Sequence, residues 1–290
     1  MGLKDINNLQ KSKNQYSKVL AETEWLEKNL DDPDLKIIEI DPAPLPTNTQ
    51  GHIPKSIILD WKMDLWHPTI RDFITERNFE KLMEKSGITN DSQVIFSSLI
   101  LQFATYAFFI FHYNGHKNLK ILNGGLQKWI AERRPITKQL SSPEKSKYKS
   151  SKSNNSLRVY RDYVLNNLRK KDVILLDART PEEYKGELIN VPELPQEGSY
   201  RAGRIPGAIH IYYEENIQRD CGFKPLNELK KMYLSNGITP DKEIITYCRT
   251  GHRATFAWFV LTQLLEYSNV KVYDGSWTEW GNLVNAPIEK

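Results

Sequence analysis

Asn236-Gly237-Ile238-Thr239-Pro240-Asp241-Lys242-Glu243-Ile244-Ile245 repeats, 150 residues later, Ser86-Gly87-Ile88-Thr89-Asn90-Asp91-Ser92-Gln93-Val94-Ile95. At the same offset Ala104-Thr105-Tyr106-Ala107-Phe108-Phe109 meets Ala254-Thr255-Phe256-Ala257-Trp258-Phe259. With a one-residue shift, Leu122-Asn123-Gly124-Gly125 and Trp129 meet Tyr273-Asp274-Gly275-Ser276 and Trp280. Upstream, Gly51-His52-Ile53-Pro54 meets Gly203-Arg204-Ile205-Pro206. Four blocks in one order at near-constant spacing indicate a duplicated domain. The length of 290 residues agrees, at roughly 100–200 residues per domain.

The repeated unit reads as α/β. Asp172 to Asp177, Ile244 to Tyr247 and Val270 to Tyr273 are short apolar, β-branched runs, as expected of strands buried on both faces. Between them lie helical stretches. Leu226 to Leu234 has apolar residues at helical spacing, and Ala254 to Leu265 is apolar nearly all round, which predicts a well-buried helix. Strands alternating with helices predict a mainly parallel sheet flanked by helices in each half. The expected organisation is a first domain over 16–138, a Ser/Lys-rich linker over 139–156 and a second domain over 157–290. The polar linker is expected to be solvated.

Composition narrows the function classes. Apolar residues make up 39%, charged residues 26% and aromatics 11%, which fits folded domains rather than disorder. The net charge of +4 is small and not gathered into a stripe, so nucleic acid is not an expected partner. No secretory signal pattern opens the chain. The apolar stretch from Leu99 to Phe111 is too short to span a bilayer, so it reads as a buried helix. A cytoplasmic monomer without membrane attachment is the expectation. Two cysteines, Cys221 and Cys248, exclude a disulfide framework and a four-thiolate zinc site.

Cys248 stands where chemistry is expected. In Tyr247-Cys248-Arg249-Thr250-Gly251-His252-Arg253-Ala254 a buried strand ends and a buried helix begins. Ligands of open α/β sheets bind beyond the carboxyl ends of strands. The helix start offers unpaired N–H groups and a positive dipole, and Gly251 permits the tight turn. Arg249, His252 and Arg253 would add positive charge, although each taken alone also reads as an ordinary surface residue. Such a setting favours the nucleophilic thiolate. The first repeat supplies a control. Its matching stretch is Ser98-Leu99-Ile100-Leu101-Gln102-Phe103, without the thiol, the cations or the glycine. One active and one inactive domain are therefore expected. Cys221, in Arg219-Asp220-Cys221-Gly222-Phe223, reads as a turn residue rather than a resolving thiol.

Three pieces together resemble the tandem-domain rhodanese family. They are Gly203-Arg204-Ile205-Pro206-Gly207-Ala208, the six residues Cys248 to Arg253, and Tyr273-Asp274-Gly275-Ser276-Trp277-Thr278-Glu279-Trp280. The Cys-Arg-x-Gly-x-Arg form is most similar to prokaryotic thiosulfate sulfurtransferases. The resemblance covers roughly Thr23 to the end. It implies that Cys248 takes the outer sulfur of thiosulfate, releases sulfite and passes the persulfide sulfur to cyanide or a cellular thiol. No metal and no cofactor is implied. It also implies that Arg249, Thr250, Gly251, His252 and Arg253 form the substrate loop, and that Asp177, Arg179, Asp274 and Trp277 support it.

Two departures from the family stand out. Thr250 occupies a position where animal enzymes carry lysine, and no arginine stands in Pro181-Glu182-Glu183-Tyr184. Three alternatives remain, one of them a non-enzymatic sulfur carrier or scaffold that uses the first half as a docking surface. A 3-mercaptopyruvate sulfurtransferase usually has a less charged loop. A phosphatase or arsenate reductase has a longer Cys-to-Arg spacing than the four residues here. The Pro/Glu-rich segment 187–200 has no counterpart in the first half and reads as an insertion beside the site mouth or on the surface.

Overall fold

The computed structural model describes residues 16, 18–43, 50–189 and 198–290. The chain forms two compact units. One runs to Asn154 and includes Arg219–Gly222; the other comprises Asn155–Gln218 and Phe223–Lys290. The expected α/β duplication is present.

In the first unit, chain order gives β1 (Leu20–Ala21), α1 (Thr23–Lys28), β2 (Leu35–Asp41), β3 (Ile57–Asp60) and α2 (Glu76–Lys85). Then follow β4 (Gln93–Ser98), α3 (Leu101–Tyr113), β5 (Leu119–Leu122) and α4 (Gly125–Ala131). The second unit has β6 (Arg158–Val159), α5 (Arg161–Asn167), β7 (Val173–Asp177), α6 (Pro181–Lys185), β8 (Ile209–His210) and α7 (Leu226–Ser235). It closes with β9 (Glu243–Tyr247), α8 (His252–Phe259), β10 (Val270–Tyr273) and α9 (Ser276–Trp280).

Both sheets are five-stranded and parallel, in the orders β1-β5-β4-β2-β3 and β6-β10-β9-β7-β8. Register follows the repeat. Ile37 pairs with Ile95 in the first sheet, and Leu175 pairs with Ile245 in the second. The apolar runs are strands because helices cover both faces, leaving Ile244, Ile245 and Val272 without exposed surface. The central helix α8 is buried along its whole length, as its all-round apolar pattern predicts. Its regular part ends at Phe259, and Val260–Leu264 continue it as one π-helical turn, close to the expected end at Leu265. Among the described residues, no helix is long and apolar enough to cross a membrane.

The Ser/Lys-rich segment, expected as solvated chain, is instead tied to the first unit. Ser146 donates from its N–H to Glu84 O and from Oγ to Ile88 O. Lys149 N–H donates to Asn90 Oδ1, and Ser150 donates from both N–H and Oγ to Glu80. Tyr148 is buried and stacks on His116 at 5.7 Å. A single aromatic anchor and paired backbone groups offset the ordering entropy that the polar composition alone could not. The inserted segment 187–200 falls largely outside the described residues.

Candidate active site

The loop Cys248–Gly251 joins β9 to α8 at the carboxyl edge of the second sheet. Gly251 caps α8 at φ +101°, in the left-handed region that glycine alone enters without strain. That turn aims its N–H back at Cys248: Gly251 N donates to Cys248 Sγ at 3.1 Å. Cys248 itself is almost fully buried.

The end of the second repeat clamps this loop from below. Cys248 N–H donates to Ser276 Oγ at 3.1 Å, and Ser276 Oγ donates to Tyr273 O. Trp277 N–H donates to Cys248 O at 3.0 Å, while Thr278 donates from both N–H and Oγ1 to Arg249 O. Cys248 is thus fixed through its own backbone by β10 and α9, and its position does not depend on the side chain.

Charge around the loop is arranged in buried pairs. Arg253 forks onto Glu183, with Nη2 to Oε1 at 2.9 Å and Nη1 to Oε2. Burial alone would raise the Glu183 carboxyl; the Arg253 guanidinium outweighs it and holds the carboxyl down at about 2. Glu183 is itself positioned by a capping box, since Thr180 Oγ1 accepts from Glu183 N and Glu183 Oε2 accepts from Thr180 N. Arg179 forks onto Asp177, donates to Gly203 O at 2.8 Å, and lies 4.5 Å from the Trp277 ring centre. Arg158 Nη2 donates to Asp274 Oδ2 at 2.8 Å. A Cβ on Gly251 would come within 2.5 Å of Asp274 Oδ1, so Asp274 forms the wall against which the loop turns.

All ten residues picked from the sequence therefore lie in the second unit. The six loop residues share one turn. Asp274 and Trp277 touch that turn directly. Asp177 and Arg179 stand on β7 and just after it, the strand beside β9. One expectation changes: Arg253, expected among the cations of the anion site, is paired with the buried Glu183 carboxylate, while Arg179, expected as a supporting residue, is paired with Asp177. Arg249, Thr250 and His252 are also buried, and Thr250 Oγ1 lies 3.1 Å from His252 Nδ1. Trp277 acts in the core as well, donating its indole N–H to Arg201 O.

Sequence reading missed Glu183, Arg158 and Ser276 as partners. Glu183 left one trace, standing three residues after Thr180 at the start of an expected helix. Cys221 packs with the first compact unit, has φ +68°, and burial, with Asp220, pushes its thiol up. Among the described residues, no group of three or more His, Cys, Asp or Glu is placed to hold a metal ion.

Comparison with known proteins agrees with the geometry. The Rhodanese-like domain family matches the chain twice, over residues 22–132 and 160–283. A Thermus thermophilus protein named "Sulfur carrier protein TtuD" is 46% identical over 95% of this chain and 98% of its own length. A Mycolicibacterium smegmatis protein named "Putative thiosulfate sulfurtransferase" is 42% identical over 94% and 98%. The solved structure of EanB/Y353A in complex with ergothioneine superposes with a TM-score of 0.81 at 25% identity, over 95% of this chain and 70% of that one. Two family matches, one on each parallel sheet and the second enclosing a clamped cysteine loop, make this chain a tandem-domain member of the rhodanese family of sulfurtransferases.

Proposed function

We propose that the chain is a thiosulfate sulfurtransferase, with Cys248 as its nucleophile. The observation that carries this reading is the 3.1 Å approach of the Gly251 N–H to Cys248 Sγ at the start of α8. A donor aimed at sulfur stabilises negative charge there, both on the free thiolate and on the persulfide anion that replaces it.

The reaction runs in two displacements. The Cys248 thiolate attacks the outer sulfur of thiosulfate; the S–S bond of the donor breaks and its electron pair leaves with sulfite. A new S–S bond remains as the Cys248 persulfide. Cyanide or a cellular thiol then attacks the terminal sulfur, and Cys248 departs as thiolate. Arg249 and the N-terminal N–H groups of α8 attract the dianion. Arg253, neutralised by Glu183, orders the helix start rather than supplying net charge. Asp274 and Trp277 hold the loop in shape. The first domain lacks the thiol and its cradle; Ser98 Oγ donates to Ile40 O, so this domain is read as inactive.

A sulfur carrier that keeps the persulfide for a protein partner is the second reading, favoured by the TtuD relative. The charged loop favours thiosulfate over 3-mercaptopyruvate, and a four-residue Cys-to-Arg spacing is short for a phosphate. Rapid mixing with thiosulfate tests the proposal. One sulfite should be released per Cys248 before any acceptor is added, with ping-pong kinetics once cyanide is present. A sulfite burst without turnover on cyanide or small thiols would favour the carrier, and release of pyruvate from 3-mercaptopyruvate at a higher kcat/KM would overturn the choice of donor.

A further inference from the structure

The main chain of the cysteine loop hangs on one short helix. Ser276 Oγ accepts the Cys248 N–H, Trp277 N–H donates to Cys248 O, and Thr278 donates from N–H and Oγ1 to Arg249 O. These bonds come from three consecutive residues of α9, a helix only five residues long. A helix of that length is not stable by itself, and its last carbonyls lack partners within it. The loop is therefore only as fixed as whatever holds α9.

Arg201 holds α9 at both ends. Its guanidinium donates to four main-chain carbonyls where the helix finishes and the chain turns away: Nη2 to Trp280 O at 3.1 Å and to Leu283 O, Nε to Gly281 O at 3.2 Å, and Nη1 to Ala286 O at 3.0 Å. At the other end, Arg201 O accepts the Trp277 indole N–H at 3.0 Å; the Ser199 hydroxyl donates to the same carbonyl at 2.9 Å. A cation at the carboxyl end of a helix also meets the negative end of its dipole. The planar guanidinium suits this task because its five N–H groups point in fixed directions, whereas a lysine ammonium has three donors on a flexible stem. In the first unit the repeat sets Thr49 where the second has Arg201, and Ser98 where it has Cys248. The guanidinium and the thiol are absent together.

We propose that Arg201 is a positioning residue for sulfur transfer: it fixes α9, and α9 fixes the main chain of Cys248 and Arg249, which keeps Cys248 Sγ in front of the Gly251 N–H. This rests on the reading of Cys248 as the nucleophile. The donors of Arg201 are used on carbonyls, so it acts on the rate of the displacement and not on capture of the donor. A nucleophile moved by a fraction of an ångström loses rate even when the residue that moved it is remote from the chemistry.

Single-turnover sulfur loading of the full chain over a range of thiosulfate concentrations tests it, with wild type, Arg201→Ala and Arg201→Lys each measured below its melting temperature. Arg201→Ala should load about tenfold or more slowly at saturating thiosulfate, with the half-saturating concentration changed less than about twofold. Arg201→Lys should fall between the two, and it carries the test if Arg201→Ala does not fold. Hydrogen exchange at the Trp277 and Thr278 amides should be faster in both variants, about tenfold in Arg201→Ala. Wild-type loading by the folded variants, however far their melting temperatures fall, would overturn the proposal. So would a raised half-saturating concentration at an unchanged rate, or unchanged exchange at both amides. Glutathione persulfide serves as a second donor: its outer sulfur passes to the Cys248 thiolate, its S–S bond breaks, and glutathione thiolate leaves. The same loss of rate should appear with it. A wild type that loads from this donor and not from thiosulfate would overturn the choice of thiosulfate while the role of Arg201 is still read from the variants.

Discussion

Glu183 receives both terminal nitrogens of Arg253 in a buried fork, so the last cation of the cysteine loop is neutralised from a helix seventy residues upstream. This pair makes a stability prediction with a definite pH sign. The Glu183 carboxyl sits at about 2 in the folded chain against an ordinary 4.5. A depressed carboxylate contributes stability that is complete above the unfolded value and is lost as pH falls through the folded one. The shift corresponds to about 3 kcal/mol. Glu183→Gln should destabilise the second unit by about 3–5 kcal/mol at pH 7, because it leaves the guanidinium buried and unpaired. In urea unfolding, the gap between the wild type and Glu183→Gln should narrow between pH 4.5 and 2. A gap independent of pH would contradict the pairing.

Arg249 and Arg253 should therefore separate experimentally, although the sequence treats them alike. Arg249→Ala should raise the KM for thiosulfate about tenfold, the worth of one charge-assisted contact, while changing little toward an uncharged organic trisulfide. Arg253→Ala should act mainly through stability. Steady-state kinetics with both donors, beside thermal melts, checks this. Equal losses with the two donors in Arg249→Ala would argue against anion binding.

Gly251 should tolerate no side chain. At φ +101° an added Cβ costs about 1–3 kcal/mol of backbone strain, and it would also press on Asp274 Oδ1, which Arg158 holds in place. Gly251→Ala should lower the melting temperature and slow sulfur loading by tenfold or more, since the N–H that faces Cys248 Sγ must turn away. Loading at the wild-type rate would remove that hydrogen bond from the mechanism.

The segment once expected as free linker should behave as part of the first unit. Tyr148→Ala removes a buried aromatic stacked on His116 and should cost about 3–5 kcal/mol, with increased hydrogen exchange at Ser146, Lys149 and Ser150. Unchanged exchange would show that the segment contributes no cooperative structure.

These cases mark where sequence reading succeeds. The repeat revealed the duplication because each copy must bury the same strands, Ile95 and Ile245 among them, in the same register. Cys248 and its loop were legible because nucleophile, glycine and helix start are consecutive. Contacts over long separation were not. Arg158 reaches Asp274 across 116 residues, and Ser276 meets Cys248 across 28. Composition and spacing carry no trace of such pairs, so Arg253, whose charge Glu183 already satisfies, looked available. Tyr148 shows the converse: one aromatic residue in a Ser/Lys-rich stretch outweighs the average of its neighbours.

Intact-protein mass spectrometry after exposure to thiosulfate reads sulfur loading on Cys248 itself. With Cys248 verified as reduced beforehand, the chain should gain one sulfur atom, about 32 Da, and lose it on addition of cyanide. Peptide mapping should place the sulfur on Cys248, and Cys248→Ser should not gain it. An unchanged mass, or a sulfur atom carried by Cys221 instead, would mean that Cys248 is not the nucleophile that accepts sulfur from thiosulfate.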